Sequence, residues 1–130
     1  MNDDDRCPCL SGDTYGACCA RYHRGLPDGV HAPTAEALMR SRYSAFAVGD
    51  AAYLWETWHP ATRPGELDLD DDAIVWRRLD ILRTEKGGPF DDTGVVEFEA
   101  RYRSGDERGL LHEISDFTRE AGRWYYVSGK

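Results

Sequence analysis

The sequence predicts an α+β fold, two helices packed on a curved antiparallel sheet of about four strands, with a small cysteine knuckle in front. Three observations carry this. Apolar residues recur at one-face helical spacing through Leu38, Met39, Tyr43 and Phe46, and beyond residue 72 the spacing changes to alternation. Turn signals at Gly87-Gly88-Pro89, Gly105-Asp106 and Ala121-Gly122 cut the later half into strand-length pieces. All four cysteines lie between residues 7 and 19, ahead of both patterns.

The 130 residues have room for one core and a small appendage, and 41% hydrophobic content excludes a disordered chain. No apolar run approaches the roughly 20 residues that span a bilayer. The start, Met1-Asn2-Asp3-Asp4-Asp5-Arg6, lacks the basic and apolar regions of a secretion signal, so a cytoplasmic location is expected. A net charge of −8 argues against general nucleic-acid binding, which rests on basic neutralisation of phosphates.

In chain order, residues 1–24 read as the knuckle and residues 25–32, with Gly25, Pro27, Asp28 and Gly29, as a linker to a domain over residues 33–130. Thr34 is placed to cap the first helix. Gly49-Asp50 ends that helix and caps a second, running through Leu54 and Trp58 and stopping before Pro60. The acidic run Asp68 to Asp72 reads as a solvated loop, since it lacks the glycine and terminal glutamate of a calcium loop. Strands are placed at Val75 to Thr84, Gly94 to Ser104, Gly109 to Glu120 and Arg123 to Ser128, the last three as an antiparallel meander.

Cys7, Cys9, Cys18 and Cys19 form two short pairs joined by a turn containing Gly12 and Gly16. A disulfide within either pair would be strained, and neither has the two-residue spacing of a redox motif. Four thiolates closing a tetrahedron around zinc fit better, with no open position for a substrate, and that is a structural site. Free thiols and an iron–sulfur cluster are the lesser alternatives. The resulting charge of about −2 would be offset by Arg6, Arg21 and Arg24, and His23 could replace one cysteine as ligand. The pattern Cys7-x-Cys9, eight residues, Cys18-Cys19 resembles the SEC-C motif, the zinc module named after the carboxyl terminus of the SecA translocase. Its usual turn reads Cys-Pro-Cys-Gly-Ser-Gly-Lys; here Leu10 and Asp13 stand at the first glycine and the lysine. Leucine takes a positive φ only at a cost and Asp13 adds negative charge, so weaker metal binding is expected.

Three inward-facing polar residues, Arg42, Glu113 and Ser115, mark a candidate pocket. Arg42 interrupts the apolar stripe of helix one, whereas Arg40 faces away; on the third strand Glu113 and Ser115 share a face with Leu111 and Phe117. Arg42 and Glu113 are expected to meet as a buried ion pair. Tyr43, Trp58, His59 and Arg63 join them as pocket candidates, suited to a small anionic ligand or to proton transfer, although a histidine before proline also suits a helix-end cap. His112 should point away from Glu113, and His31 falls in the linker.

The phrase Leu38 to Phe46, with Trp58-His59-Pro60 and Arg123-Trp124-Tyr125-Tyr126-Val127, is similar to the YchJ-like family. That resemblance implies an NTF2-like (cystatin-like) cone behind an amino-terminal SEC-C motif. Many relatives carry a second such motif at the carboxyl end; none precedes Lys130 here, so a function that needs two metal modules is not expected. The SecA example implies a protein partner, an export chaperone or the ribosome, and hence a binding module. NTF2-like cones also host isomerases, dehydratases and hydrolases, so an enzyme built around His59 and Glu113 is the alternative.

Overall fold

The computed structural model describes residues 2–65, 67 and 74–129; the acidic run at 68–72 lies outside them. The elements are α1 (Ala20–Gly25), a 3₁₀ turn (Leu26–Asp28), α2 (Ala35–Val48), α3 (Ala51–Glu56), β1 (Ile74–Lys86), β2 (Thr93–Ser104), β3 (Glu107–Glu120) and β4 (Arg123–Gly129). All four strands form one antiparallel meander in chain order, which extends the expected three-strand meander by β1.

Simple alternation is broken twice in β1, where the pairing register shifts between Trp76 and Arg78 and between Ile81 and Arg83. The first bulge keeps Trp76, Leu79 and Ile81 on one face, so Leu79, Ala100 and Leu111 align across three strands, as do Ile81, Phe98 and Glu113. Bulges also bend a strand, which gives the sheet a concave face for α2.

α2 starts where predicted: the Thr34 side chain accepts from the Ala37 N–H at 3.0 Å, and Gly49 ends the helix in the left-handed conformation. One face carries Leu38, Met39 and Tyr43 into the core with Leu79, Val96, Phe98, Phe117 and Trp124. The opposite face is also covered, because small residues at Ser41, Ser44 and Ala45 let the knuckle, α1 and α3 approach closely. The amino end of α2 sits on the β1–β2 hairpin, with the Ala35 N–H donating to the Gly87 carbonyl at 2.9 Å. A Cβ on Gly94 would lie 2.6 Å from the Gly87 Cα, so glycine is required for that contact.

Two local expectations are corrected. Residues 20–28, placed across the knuckle end and linker, are helical instead, because α1 packs on the outer side of α2. The second helix stops at Glu56, so Trp58 lies beyond it and forms a parallel bridge with Tyr126 of β4.

Candidate metal centre and ligand cavity

The knuckle folds on backbone hydrogen bonds that turn the chain back on itself: Cys7 N–H to the Asp13 carbonyl at 3.0 Å, Leu10 N–H to the Cys7 carbonyl at 3.0 Å, and Tyr15 N–H to the Asp5 carbonyl at 2.7 Å. Leu10 takes φ 62°, the left-handed conformation that the glycine of the motif would take without strain. Its side chain is exposed, so packing does not repay the strain.

All four cysteines are free and buried, and their sulfurs lie within 4.8 Å of one another. The Cys9–Cys18 and Cys18–Cys19 sulfurs are 3.6 and 3.9 Å apart. A tetrahedron of thiolates about 2.3 Å from zinc has edges of roughly 3.8 Å, so the donor set fits such an ion. Without a cation the cluster shares its protons unevenly. Hydrogen bonding from Cys19 and then Cys9 pulls the Cys7 thiol far below its usual range, whereas donation to Cys7 and Cys9, with burial, pushes Cys19 well up. A metal would supply charge neutralisation and a cross-link between the two ends of the knuckle.

The surroundings of the cluster correct two further expectations. His23 is no ligand: its Nε2 lies 2.8 Å from the Ser41 carbonyl and its Nδ1 2.6 Å from the Tyr15 hydroxyl. The carbonyl requires Nε2 to donate, and in the neutral ring, the form that burial favours, Nδ1 then accepts from Tyr15. Burial holds its pKa below the ordinary value. Of the arginines expected to offset the cluster, Arg21 donates to the Cys18 carbonyl at 3.0 Å, Arg24 is paired with Asp3 at 2.6 Å, and Arg6 is exposed. Arg40 faces away from the sheet as expected, but there it meets the knuckle and donates to the Cys9 carbonyl at 2.8 Å. Ser11 and Ser44 hydroxyls touch the Cys18 and Cys7 sulfurs at 3.2 and 3.5 Å. Sequence spacing gave no signal for Arg40 or Ser44, which become neighbours only when the knuckle docks on α2.

Between α2 and the concave sheet lies a cavity of about 250 Å³ lined by Met39, Arg42, Tyr43, Phe46, Trp58, Trp76, Phe98, Ala100, Leu111, Glu113 and Tyr126. Four pocket candidates, Arg42, Tyr43, Trp58 and Glu113, meet there. Of the apolar liners, Trp76 was hidden from simple alternation by the β1 bulge, and Phe98 and Ala100 by their ordinary strand character, whereas Leu111 shares the face already read for Glu113.

The expected Arg42–Glu113 ion pair is absent among the described residues. Arg42 Nη1 donates instead to the Leu54 carbonyl at 2.8 Å and the Thr57 hydroxyl at 2.7 Å. The short α3 leaves that carbonyl without its helical N–H partner, because the Trp58 N–H bonds to Trp55. The guanidinium lies 4.6 Å from the Tyr126 ring centre, and burial lowers its pKa to about 10. Glu113 accepts from Ser115 at 2.6 Å.

His59 and Arg63 do not line the cavity. His59 Nδ1 accepts from the Ala61 N–H at 3.0 Å and Nε2 lies 2.9 Å from Glu120, so it caps the following turn rather than the helix end. Arg63 stacks over Trp55 at 3.5 Å. Ser115 is fully buried and reaches the cavity only through Glu113. His112 points away from Glu113, 2.7 Å from Glu97 on the outer face.

Comparison with known proteins agrees with this architecture. Residues 5–21 match the SEC-C motif, and residues 34–129 match the family described as YchJ, middle NTF2-like domain. A UPF0225 protein of Corynebacterium efficiens is 57% identical over 97% of this chain and 93% of its own. One from Chromobacterium violaceum is 54% identical over 95% of this chain and 90% of its own. The solution structure of a SEC-C motif containing protein from Rhodopseudomonas palustris superposes with a TM-score of 0.80 at 37% identity, covering 100% of this chain and 98% of that one. The crystal structure of another, from Psychrobacter arcticus, gives 0.80 at 29% identity over 98% and 84%. With a SEC-C knuckle packed on an NTF2-like cone and close relatives along nearly its whole length, the chain belongs to the YchJ family of UPF0225 proteins.

Proposed function

We propose that this chain is a zinc-binding cytoplasmic protein whose metal is structural and whose cone-shaped domain is a binding module. The observation that carries the metal reading is the set of four buried sulfurs within 4.8 Å of one another. Four soft donors, with no carboxylate or imidazole joining the group among the described residues, favour zinc over harder divalent ions, and a site closed by four cysteines has no position for a substrate. Its role is to fasten residues 1–24 onto α2, where Cys7, Cys9 and Cys19 join the same buried cluster as Leu38 and Met39.

Binding takes two surfaces in this reading. The exposed turn Leu10-Ser11-Gly12-Asp13 is the part of the knuckle open to a macromolecular partner, an export chaperone or the ribosome by resemblance to SecA. The cavity beside Arg42 takes a small ligand. The enzymatic alternative requires His59 beside Glu113, and these side chains are engaged separately, with Glu120 and Ser115. Elemental analysis of protein purified under metal-replete conditions should find about one zinc per chain, released on thiol modification. Less than half occupancy with four titratable thiols would contradict the proposal.

A further inference from the structure

We propose that the cavity under α2 binds a small organic monocarboxylate with an apolar body, its oxygens taken by the Arg42 guanidinium and the Trp58 indole N–H. This rests on the ligand-cavity reading above and adds the chemistry of the ligand. Arg42 is only 4% exposed, yet the oxygens it bonds, on Leu54 and Thr57, are both neutral. Among the described residues no carboxylate lies within ion-pair distance of it. A buried cation held by neutral partners favours an incoming anion strongly. Trp58 Nε1 independently asks for an acceptor, since it is buried without a hydrogen-bond partner among the described residues and its residue lines the same cavity.

The remaining wall sets the body of the ligand. Met39, Tyr43, Phe46, Trp76, Phe98 and Leu111 offer apolar and aromatic surface. Phe46 and Leu111 are 38% and 40% exposed, which marks the open end of the cavity. Its volume, about 250 Å³, equals roughly eight waters and suits a single ring. Glu113 shares the cavity and repels a second negative charge, which selects a monoanion over a phosphate dianion.

The test uses the full zinc-loaded chain with phenylacetate, phenylacetamide and 2-phenylethylamine, following the indole N–H resonances by NMR. Phenylacetate should bind at least tenfold more tightly than the amide and shift the Trp58 indole most. Trp58→Phe should weaken it about tenfold and Glu113→Gln should tighten it severalfold. Equal affinity for acid and amide, or preference for the amine, overturns the carboxylate assignment and leaves the cavity reading standing. If none of the three moves the Trp58 indole, both fall. Should Trp58→Phe fail to fold, Glu113→Gln decides alone: unchanged or weaker phenylacetate binding overturns the inference.

Discussion

Leu10 shows how one residue departs from a motif without breaking it. A left-handed leucine costs about 1–2 kcal/mol, and glycine gives back roughly 0.5–1 kcal/mol of that in chain entropy, so Leu10→Gly should stabilise the metal-loaded protein by roughly 0.5–1 kcal/mol in denaturant melts. An unchanged midpoint would mean that the turn relaxes around leucine. His23 gives a second test. Its folded pKa lies below its ordinary 6.5, so the unfolded chain binds the extra proton first; stability is full above about 6.5 and falls as pH drops below it. Gln can accept from Tyr15 and donate to Ser41, so His23→Gln should lose less stability between pH 7 and 5. An equal loss would place the acid sensitivity elsewhere, in His31, whose pKa burial also lowers, or in the cysteine cluster. Arg42 supplies a third. Because its bond is to Thr57, a double-mutant cycle of Arg42→Met with Thr57→Val should show coupling of about 1 kcal/mol or more, against under about 0.5 kcal/mol with Glu113→Gln. The reverse order would restore the ion pair that the sequence suggested.

Among the elements, those with strong periodicity were the legible ones. The start of α2 could be read from Thr34, its end from Gly49, and three hairpin turns from their glycines, since these depend on local backbone chemistry. What could not be read depends on distant partners. The first β1 bulge follows from keeping Trp76, Leu79 and Ile81 on one face, and α1 follows from docking on α2. The end of α3 before Trp58 was missed because Tyr126 recruits the chain into a bridge. Gly87 and Gly94 face each other across the β1–β2 hairpin beneath Ala35 of α2, so Gly94→Ala should cost about 1–3 kcal/mol by forcing backbone apart, seen as a lowered thermal midpoint. A neutral effect would show that the hairpin can move away from Ala35.

At the scale of the whole molecule, the knuckle closes over the outer face of α2 while the sheet covers the inner one, so one helix carries both the metal module and the ligand cavity. The cysteine cluster was legible because four ligands within 13 residues need no tertiary information. The cavity was half legible: alternation found Glu113, and the helix stripe found Arg42, but which carbonyl satisfies Arg42 depended on where α3 ends. In the proposed function four cysteines alone hold a structural zinc ion, and X-ray absorption at the zinc edge of the freshly purified protein reads that ligand set. A single shell of four sulfur scatterers is expected; a shell containing nitrogen or oxygen, or no bound zinc at all, would overturn the structural zinc site.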